Sequence, residues 1–142
     1  MLIQLLVGAV ASVINVFAHS LVMSLVIGVS RRQAEAFRRS RWSLPMIMSS
    51  VVCVLMAAHT FEALIWAITY SVVGAVPGDT EFLYFAFVNS ATLGYGDITP
   101  VARWRLLGPI TSMNGILLFG WSTAVLFEVL HRTLLRTESL VD

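Results

Sequence analysis

The sequence has little charge, a single cysteine and no lysine. Charged residues make up 12% and hydrophobic residues 58% of the 142 residues, whereas about a quarter of a soluble domain is charged. Such a chain has too little polar surface to cover a globule in water, which argues against a cytosolic enzyme and a disordered tail. Cys53 has no second cysteine to pair with, which argues against a disulfide-stapled secreted domain. The net charge of +1 provides no basic field for binding nucleic acid.

Three apolar stretches are each long enough to cross a membrane as a helix, which takes about 20 residues. The first is predicted at 1–30, where His19 is the only ionisable side chain. The second is predicted at 44–76 and the third at 106–131, each with a proline near its start, where a missing amide proton is tolerated. The predicted fold class is therefore an all-α polytopic membrane protein with three transmembrane helices.

Arginines cluster between the first two stretches. Five of the nine arginines lie in the predicted loop 31–43. Because arginine-rich loops stay in the cytoplasm, this pattern predicts a cell-membrane protein with its N-terminus outside and a short tail, 133–142, in the cytoplasm. Arg103 and Arg105 favour the reverse orientation, but the loop outnumbers them by five to two.

A shorter apolar segment lies between the second and third stretches. A Val-Pro-Gly-Asp sequence at 76–79 interrupts the helix, and Asp79 or Thr80 can cap a new one. The new segment, at about 81–91, is only about half as long as a membrane span. Irregular backbone survives at membrane depth only where it is buried in protein or lines a water-filled cavity. Residues 80–98 are therefore predicted to form a re-entrant helix and loop at a pore.

The loop after this segment reads Thr92-Leu93-Gly94-Tyr95-Gly96-Asp97. Glycines on either side of an aromatic residue permit backbone conformations that allow consecutive carbonyl groups to point the same way. Stacked carbonyl oxygens can replace the water shell of a cation. One chain supplies only one wall of such a ring, so this interpretation requires several copies around an axis. The alternative, a glycine-rich surface turn, fits poorly because the loop follows an apolar half-length helix.

At these residues the sequence resembles the pore module of potassium channels: an outer helix, a pore helix, a Thr-x-Gly-Tyr-Gly-Asp filter and an inner helix. The resemblance covers 44–132 and implies a homotetramer in the lipid bilayer that conducts K+ and needs no cofactor. The implied filter residues are Thr92, Leu93, Gly94, Tyr95 and Gly96. The first four would coordinate K+ through their carbonyls, with the Thr92 hydroxyl assisting. Leu93 replaces the usual valine or isoleucine, which matters little because this position contributes its carbonyl.

The same resemblance suggests supporting roles. Tyr84 occupies the place of a frequent aromatic residue, and we expect its hydroxyl to bond to Asp97 and brace the filter; simple packing of the ring is the alternative. In the inner helix, Gly115 and Gly120 match a hinge glycine and a second glycine that allows close helix packing. The first stretch resembles a peripheral helix packed on the outer helix, since it lacks the regularly spaced arginines of a voltage sensor.

One face of the third stretch is expected to line the pore. Its residues recur at spacings of three or four, which places them on one side of a helix. They are Ile116, Phe119, Thr123, Phe127 and His131. Phe127 is the candidate constriction, and His131 would lie at the cytoplasmic mouth, where protonation could repel cations. Ordinary helix packing is the alternative for the stripe, and a headgroup position is the alternative for His131.

Three ionisable groups, His19, His59 and Glu62, lie inside the first two stretches, where such groups are rare and often functional. Counting residues from the cytoplasmic helix ends places Asn15 at the depth of His59 and Ser12 at the depth of Glu62. We expect a structural polar seam built from Asn15, His19, His59 and Glu62 and joined by Asn114. A proton sensor or a metal site is the alternative, because histidine and carboxylate are metal ligands. Cys53 is expected to be a small buried hydrophobe.

The sequence thus predicts a potassium-selective channel and not an enzyme. Three alternatives stay open: a weakly selective cation channel of the same architecture, a membrane metal-binding protein using His19, His59 and Glu62, and a non-conducting auxiliary subunit. The stimulus that opens such a pore is not indicated, because the sequence carries no nucleotide-binding motif, calcium loop or voltage sensor.

Overall fold

A computed structural model of the chain describes residues 1–36, 43–78 and 81–138. These residues form four α-helices: α1 (Leu2–Ala36), α2 (Ser43–Val73), α3 (Phe82–Ser90) and α4 (Leu107–Glu138). A short 3-10 turn at Ala102–Trp104 precedes α4, and the described residues contain no strand. Three segments are long and apolar enough to cross a membrane: Leu2–Ser30, Leu44–Val73 and Ala102–Leu135. The described chain is therefore all-helical with three potential spans, as the sequence predicts.

Two of the helices are longer than predicted. The first continues beyond residue 30 to Ala36, through Arg31 and Arg32, and the fourth continues beyond residue 131 to Glu138. Loss of hydrophobicity marks where a helix leaves the apolar layer, but it does not end the helix. Arginine, glutamine, alanine and glutamate are good helix formers, and neither extension contains glycine or proline. The described parts of the predicted loop and tail are therefore helical.

The second helix ends at Val73, three residues earlier than predicted. Gly74 follows it with a φ of +62°, in the left-handed region that glycine tolerates best. The N–H of Ala75 donates to the Tyr70 carbonyl at 2.9 Å, and the N–H of Gly74 donates to the Ser71 carbonyl at 3.3 Å. This pair of bonds is a Schellman motif, which satisfies the last carbonyls of the helix. The glycine, and not the later proline, therefore ends α2.

The short helix α3 is nine residues long and cannot cross a membrane. Glu81 precedes it without a side-chain capping bond, and the expected capping residues 79 and 80 lie outside the described residues. Phe85 and Ala86 are buried, and the Phe85 ring lies 4.9 Å from the ring of Tyr70 on α2. The Ser112 hydroxyl on α4 donates to the Asn89 carbonyl at 2.8 Å. Contacts with two long helices therefore fix the position of α3.

The first helix packs against α4 as well as α2, so it is not simply a peripheral helix on the outer one. Near its start, the Gln4 side-chain oxygen accepts a 3.0 Å hydrogen bond from the N–H of Leu106, just before α4. One turn later, a Cβ at Gly8 would lie 2.7 Å from the Ile110 side chain, so glycine permits a close approach there. At the opposite end, α1 shares an apolar cluster with α2 and α4. Its members are Met23, Val26, Ile47, Val51, Leu55, Val125 and Val129.

Candidate functional site

The loop after α3 begins with a strained residue. The N–H of Thr92 donates to the Asn89 carbonyl at 3.0 Å, and the N–H of Leu93 donates to the Val88 carbonyl at 2.9 Å. These bonds form a second Schellman motif, in which Thr92, at φ +59°, takes the position that Gly74 holds after α2. A left-handed conformation costs a residue with a side chain about 1–2 kcal/mol. Such strain on a β-branched residue is typical of functional sites, where the side chain itself is needed.

Positive φ angles then alternate along the loop. Thr92, Gly94 and Gly96 have φ of +59°, +58° and +78°, and the intervening Leu93 and Tyr95 do not have positive φ. Residues 91–97 are all exposed in the single chain. The loop starts at the C-terminal end of α3, where the helix dipole is partially negative and favours a cation. The alternating φ angles agree with the irregular backbone predicted from the glycine spacing. Coordination of a cation by the carbonyls of this loop stays a prediction.

A side-chain bond ties the two ends of this segment together. The Tyr84 hydroxyl donates to the Asp97 carboxylate at 2.7 Å, and the N–H of Ile98 donates to the other carboxylate oxygen at 3.0 Å. Both Tyr84 and Asp97 are exposed in the single chain. The hydrogen bond from Tyr84 holds the pKa of Asp97 below its ordinary value, and the same bond to Asp97 raises the pKa of Tyr84. The predicted contact exists; its effect on the filter stays a prediction.

Gly115 lets α4 approach the end of α3 closely, a role that the sequence did not reveal. A Cβ at Gly115 would collide with the backbone carbonyl of Ser90, two residues before Thr92. Gly120, for which close helix packing was expected, has no neighbour within 4 Å of a Cβ built on it. Within one chain the close packing therefore falls at Gly115, because that is where α4 crosses the end of the short helix.

The predicted pore-lining stripe lies opposite the packed face of α4. The buried residues of α4 between 111 and 133, apart from Gly115, are Thr111, Asn114, Leu118, Ser122, Val125, Val129 and Thr133. Ile116 and Phe127 are 59% and 67% exposed, and Phe119, Thr123 and His131 are also exposed. The Phe127 and His131 rings stack with their centroids 6.0 Å apart. Apart from Phe119, whose ring also contacts His59 on α2, the stripe is uncovered in the single chain and can face an axis or another subunit. Cys53 is exposed on α2, so its predicted burial is wrong.

Four polar side chains from three helices meet between α1, α2 and α4. His19 Nδ1 lies 2.7 Å from Glu62 Oε1, and His59 Nδ1 lies 2.8 Å from Glu62 Oε2. Ser122 Oγ lies 3.0 Å from His59 Nε2 and 3.5 Å from His19 Nε2. His19, Glu62 and Ser122 are buried. Ser122 was not predicted, although its spacing of eight residues from Asn114 places it on the same face of α4.

Next to this cluster, Asn15, Trp66 and Asn114 form a second, uncharged group of hydrogen bonds that extends the seam. The Asn15 amide donates to Asn114 Oδ1 at 3.1 Å and more weakly to the Glu62 backbone carbonyl at 3.5 Å. The Trp66 indole N–H also donates to Asn114 Oδ1, at 3.0 Å. The structure therefore brings all four predicted seam residues and Asn114 together.

The predicted depths within the seam are wrong by about one helical turn. Asn15, and not Ser12, lies beside Glu62, and His19, and not Asn15, lies beside His59, with ring centroids 5.6 Å apart. The cause is the underestimated length of α1, which runs to Ala36. When residues are counted back from Ala36, the residue of α1 that lies at a given depth has a higher number than predicted.

The cluster satisfies the distance requirement for a metal site but not its chemistry. One donor atom each from His19, His59 and Glu62 lies within 4.8 Å of the others. However, both carboxylate oxygens already lie at hydrogen-bond distance from an imidazole nitrogen. Two lone pairs repel each other at 2.7–2.8 Å unless a proton lies between them, and a metal ligand must offer its lone pair to the metal. The donor set therefore fits a hydrogen-bonded cluster better than a metal centre.

Comparison with known families finds one that fits this architecture. The sequence model of a family described as "Ion channel" matches residues 10–132, which include most of α1, the filter sequence and most of α4. Comparisons with curated proteins and with solved structures give no match. The family consists of transport proteins and not enzymes, and the three apolar helices agree with a multi-pass membrane protein. The chain therefore belongs to this ion-channel family, the potassium-channel pore-module family that its filter sequence resembles.

Proposed function

We propose that four copies of this chain form a potassium-selective channel in the cell membrane. K+ would shed its water and pass along the carbonyls of residues 92–95, with several ions moving in file. The observation that carries this proposal is the alternation of positive φ at Thr92, Gly94 and Gly96, directly after the C-terminal end of α3.

A fourfold assembly is supported by what one chain leaves exposed. Residues 91–97 and the Ile116 and Phe127 face of α4 are uncovered by the rest of the chain. Four copies around an axis would place these surfaces together, and the loops would then surround an ion from all sides. Within that assembly α4 is the inner helix, α2 the outer helix and α3 the pore helix.

The gate is proposed at the end of α4 remote from the filter. Ile116, Phe119 and Thr123 would line the cavity, and Phe127 would narrow it above His131. Gly120 has the free space that a bend requires, whereas Gly115 is held against the backbone of Ser90. We therefore place the bend at Gly120 and regard Gly115 as the fixed point beside the filter.

The proposed orientation has the N-terminus outside and the C-terminus in the cytoplasm. The contacts of Gln4 with Leu106 and of His19 with Ser122 show that α1 and α4 run in the same direction. The arginines at the C-terminal ends of both helices therefore lie on one side, away from Arg103 and Arg105. The side with more arginines is expected to face the cytoplasm.

Ion flux in proteoliposomes tests the proposal directly. We expect K+ flux well above Na+ flux and block by barium in the parent. Tyr95→Ala should abolish flux or make it nonselective. Leu93→Val is the matched control, because it replaces a neighbouring exposed aliphatic side chain by a similar one, whereas Tyr95→Ala removes an aromatic ring. It should leave selectivity unchanged. Equal K+ and Na+ flux in the parent would indicate a weakly selective channel, and failure to form tetramers alone would indicate an auxiliary subunit.

A further inference from the structure

Glu62, His19, Ser122 and His59 form a closed ring of four polar contacts. Going round, Glu62 Oε1 meets His19 Nδ1 at 2.7 Å, His19 Nε2 meets Ser122 Oγ at 3.5 Å, Ser122 Oγ meets His59 Nε2 at 3.0 Å, and His59 Nδ1 meets Glu62 Oε2 at 2.8 Å. The ring joins α1, α2 and α4 and uses both nitrogens of each imidazole.

Counting protons shows how this ring can be satisfied. Each contact joins two atoms that both carry lone pairs, so a hydrogen bond needs one proton between them. The three contacts of 2.7, 2.8 and 3.0 Å need that proton at their observed length, and the 3.5 Å contact between His19 and Ser122 needs one to become a full hydrogen bond. Ser122 supplies one, which leaves three for Glu62 and the two imidazoles. An ionised carboxylate and two neutral imidazoles together hold only two. The ordinary states at neutral pH, with the Ser122 hydroxyl, satisfy the three shorter contacts. A ring closed by four hydrogen bonds requires one proton more.

The charge of the ring leads to the same count. With two protons, the carboxylate leaves a net charge of −1 among apolar helices, where charge is costly. With three protons the ring is neutral wherever the third proton lies, because an imidazolium balances the carboxylate and a protonated carboxyl needs no balance. The nearest rings on α4 are uncharged: Phe119 lies 4.5 Å from His59 and Trp121 lies 5.2 Å from His19.

Ionisable groups on the surrounding helices do not alter this balance. The ring's own members supply the titratable groups from α1 (His19) and from α2 (His59 and Glu62). Among the described contacts of the ring, α4 contributes Ser122, Phe119 and Trp121 and no charged side chain. Of the four ring residues, the Asn15 amide contacts Glu62 alone, at its backbone carbonyl.

We propose that this ring is a binding site for one exchangeable proton, shared among His19, Glu62 and His59, and that the bound proton holds the inner helix α4 against α1 and α2. Loss of the proton leaves one contact with two facing lone pairs. The longest contact, between His19 and Ser122, is the weakest and should open first, which loosens α4 from α1 at this level while the bond from Asn15 to Asn114 remains. Protonation of the ring is thereby coupled to the position of the helix proposed to carry the gate.

The proton count can be measured in the full-length protein in lipid bilayers. The chain has three histidines, so His131→Asn leaves only the two ring imidazoles in a nitrogen-15 NMR spectrum. Imidazole nitrogen shifts and the Glu62 carboxyl shift together give the number of bound protons. We expect three near neutral pH, and the His19 and His59 signals should change together as one proton leaves at higher pH. A count of two or four throughout about pH 5–9 would overturn the proposal.

Glu62→Gln is the decisive variant. The glutamine amide both donates and accepts, so it closes the same ring with two neutral imidazoles and no extra proton. We expect the imidazoles of this variant to stay neutral and to release no proton over the same pH range. An imidazolium that persists in Glu62→Gln would contradict the proposal. Ser122→Ala provides a second variant. It removes two of the four contacts, and the remaining two, from His19 and His59 to Glu62, are satisfied by two neutral imidazoles, so these contacts no longer call for the third proton.

The experiment also separates this inference from its main alternative and from the proposed channel function. After incubation with zinc alone, metal-shifted nitrogen signals and one zinc ion per chain by elemental analysis would show that the cluster is a metal site and not a proton site. K+ flux is measured independently. A count of three protons without K+ flux would contradict the channel proposal alone, and K+ flux with a count of two would contradict the proton site alone.

Discussion

The Tyr84 hydroxyl donates a 2.7 Å hydrogen bond to the Asp97 carboxylate, joining the first turn of α3 to the residue that follows the filter sequence. Thr92 anchors the other end of the segment, through the backbone bonds that end α3. The loop between them is therefore tied at both ends to one short helix. This gives a glycine-rich segment a fixed span, which the proposed coordination of an ion by its carbonyls needs.

We predict that Tyr84→Phe weakens this bracing. The ring and its packing are kept, and only the hydroxyl is lost, so the filter loop should sample more conformations. Open times in single-channel recordings should shorten, on the order of a few-fold because both groups are exposed and their bond is partly screened. K+ over Na+ selectivity should fall with them. Unchanged open times and selectivity would show that the ring acts by packing alone.

The same bond should be independent of pH over a wide range. Its contribution is present above the ordinary Asp pKa of about 3.9 and disappears as pH falls through the lowered pKa of Asp97. At the other end it is present below the ordinary Tyr pKa of about 10 and disappears as pH rises through the raised pKa of Tyr84. In Tyr84→Phe, the pKa of Asp97 should rise towards its ordinary value, which carbon-13 NMR of the carboxyl group measures. An unchanged pKa would mean that the hydroxyl does not stabilise the carboxylate.

The sequence predicts those features that depend on local signals. Hydropathy locates the three spans, and the glycines at 94 and 96 predict a loop whose backbone departs from helix and strand. Features that depend on packing between distant segments are not predictable in this way. The approach of Gly115 to Ser90 follows from how α4 crosses α3. The spacing from Asn114 puts Ser122 on the seam face of α4, but its contact with His59 follows from how α4 crosses α2. The predicted depths of residues along α1 were also wrong, because polar residues beyond an apolar stretch can continue a helix.

Gly115→Ala should disturb the filter more than Gly120→Ala. The added methyl group at 115 meets the backbone carbonyl of Ser90, which cannot move without shifting the start of the filter loop. We expect a loss of stability of about 1–3 kcal/mol, typical of overpacking, and reduced K+ selectivity. Gly120→Ala has open space within the chain and should keep selectivity while altering gating. Thermal unfolding of the tetramer and flux measurements compare the two; equal losses of selectivity would contradict the assigned difference.

Asn114→Ala should destabilise the contact between the three long helices. It removes the one oxygen that accepts from both the Asn15 amide and the Trp66 indole, leaving two buried donors without that partner. We expect a loss of roughly 1–3 kcal/mol in the free energy of unfolding in mixed micelles. Asn15→Ala should cost less, since the Trp66 bond remains. Met113→Ala, at an adjacent position that is 65% exposed, is the control, and a similar loss there would rule out a specific role for Asn114.

Cysteine accessibility tests which face of α4 meets water. Cys53 is exposed and must first be replaced by alanine, so that an introduced thiol is the only one. Thr123→Cys and Phe127→Cys should react with a charged, membrane-impermeant thiol reagent applied from the cytoplasmic side, because both positions lie on the exposed stripe. Val125→Cys, on the buried face, should stay unmodified in the same time. If neither stripe position reacts in any condition that supports K+ flux, the stripe faces lipid or another helix, and the pore must be lined by a different surface.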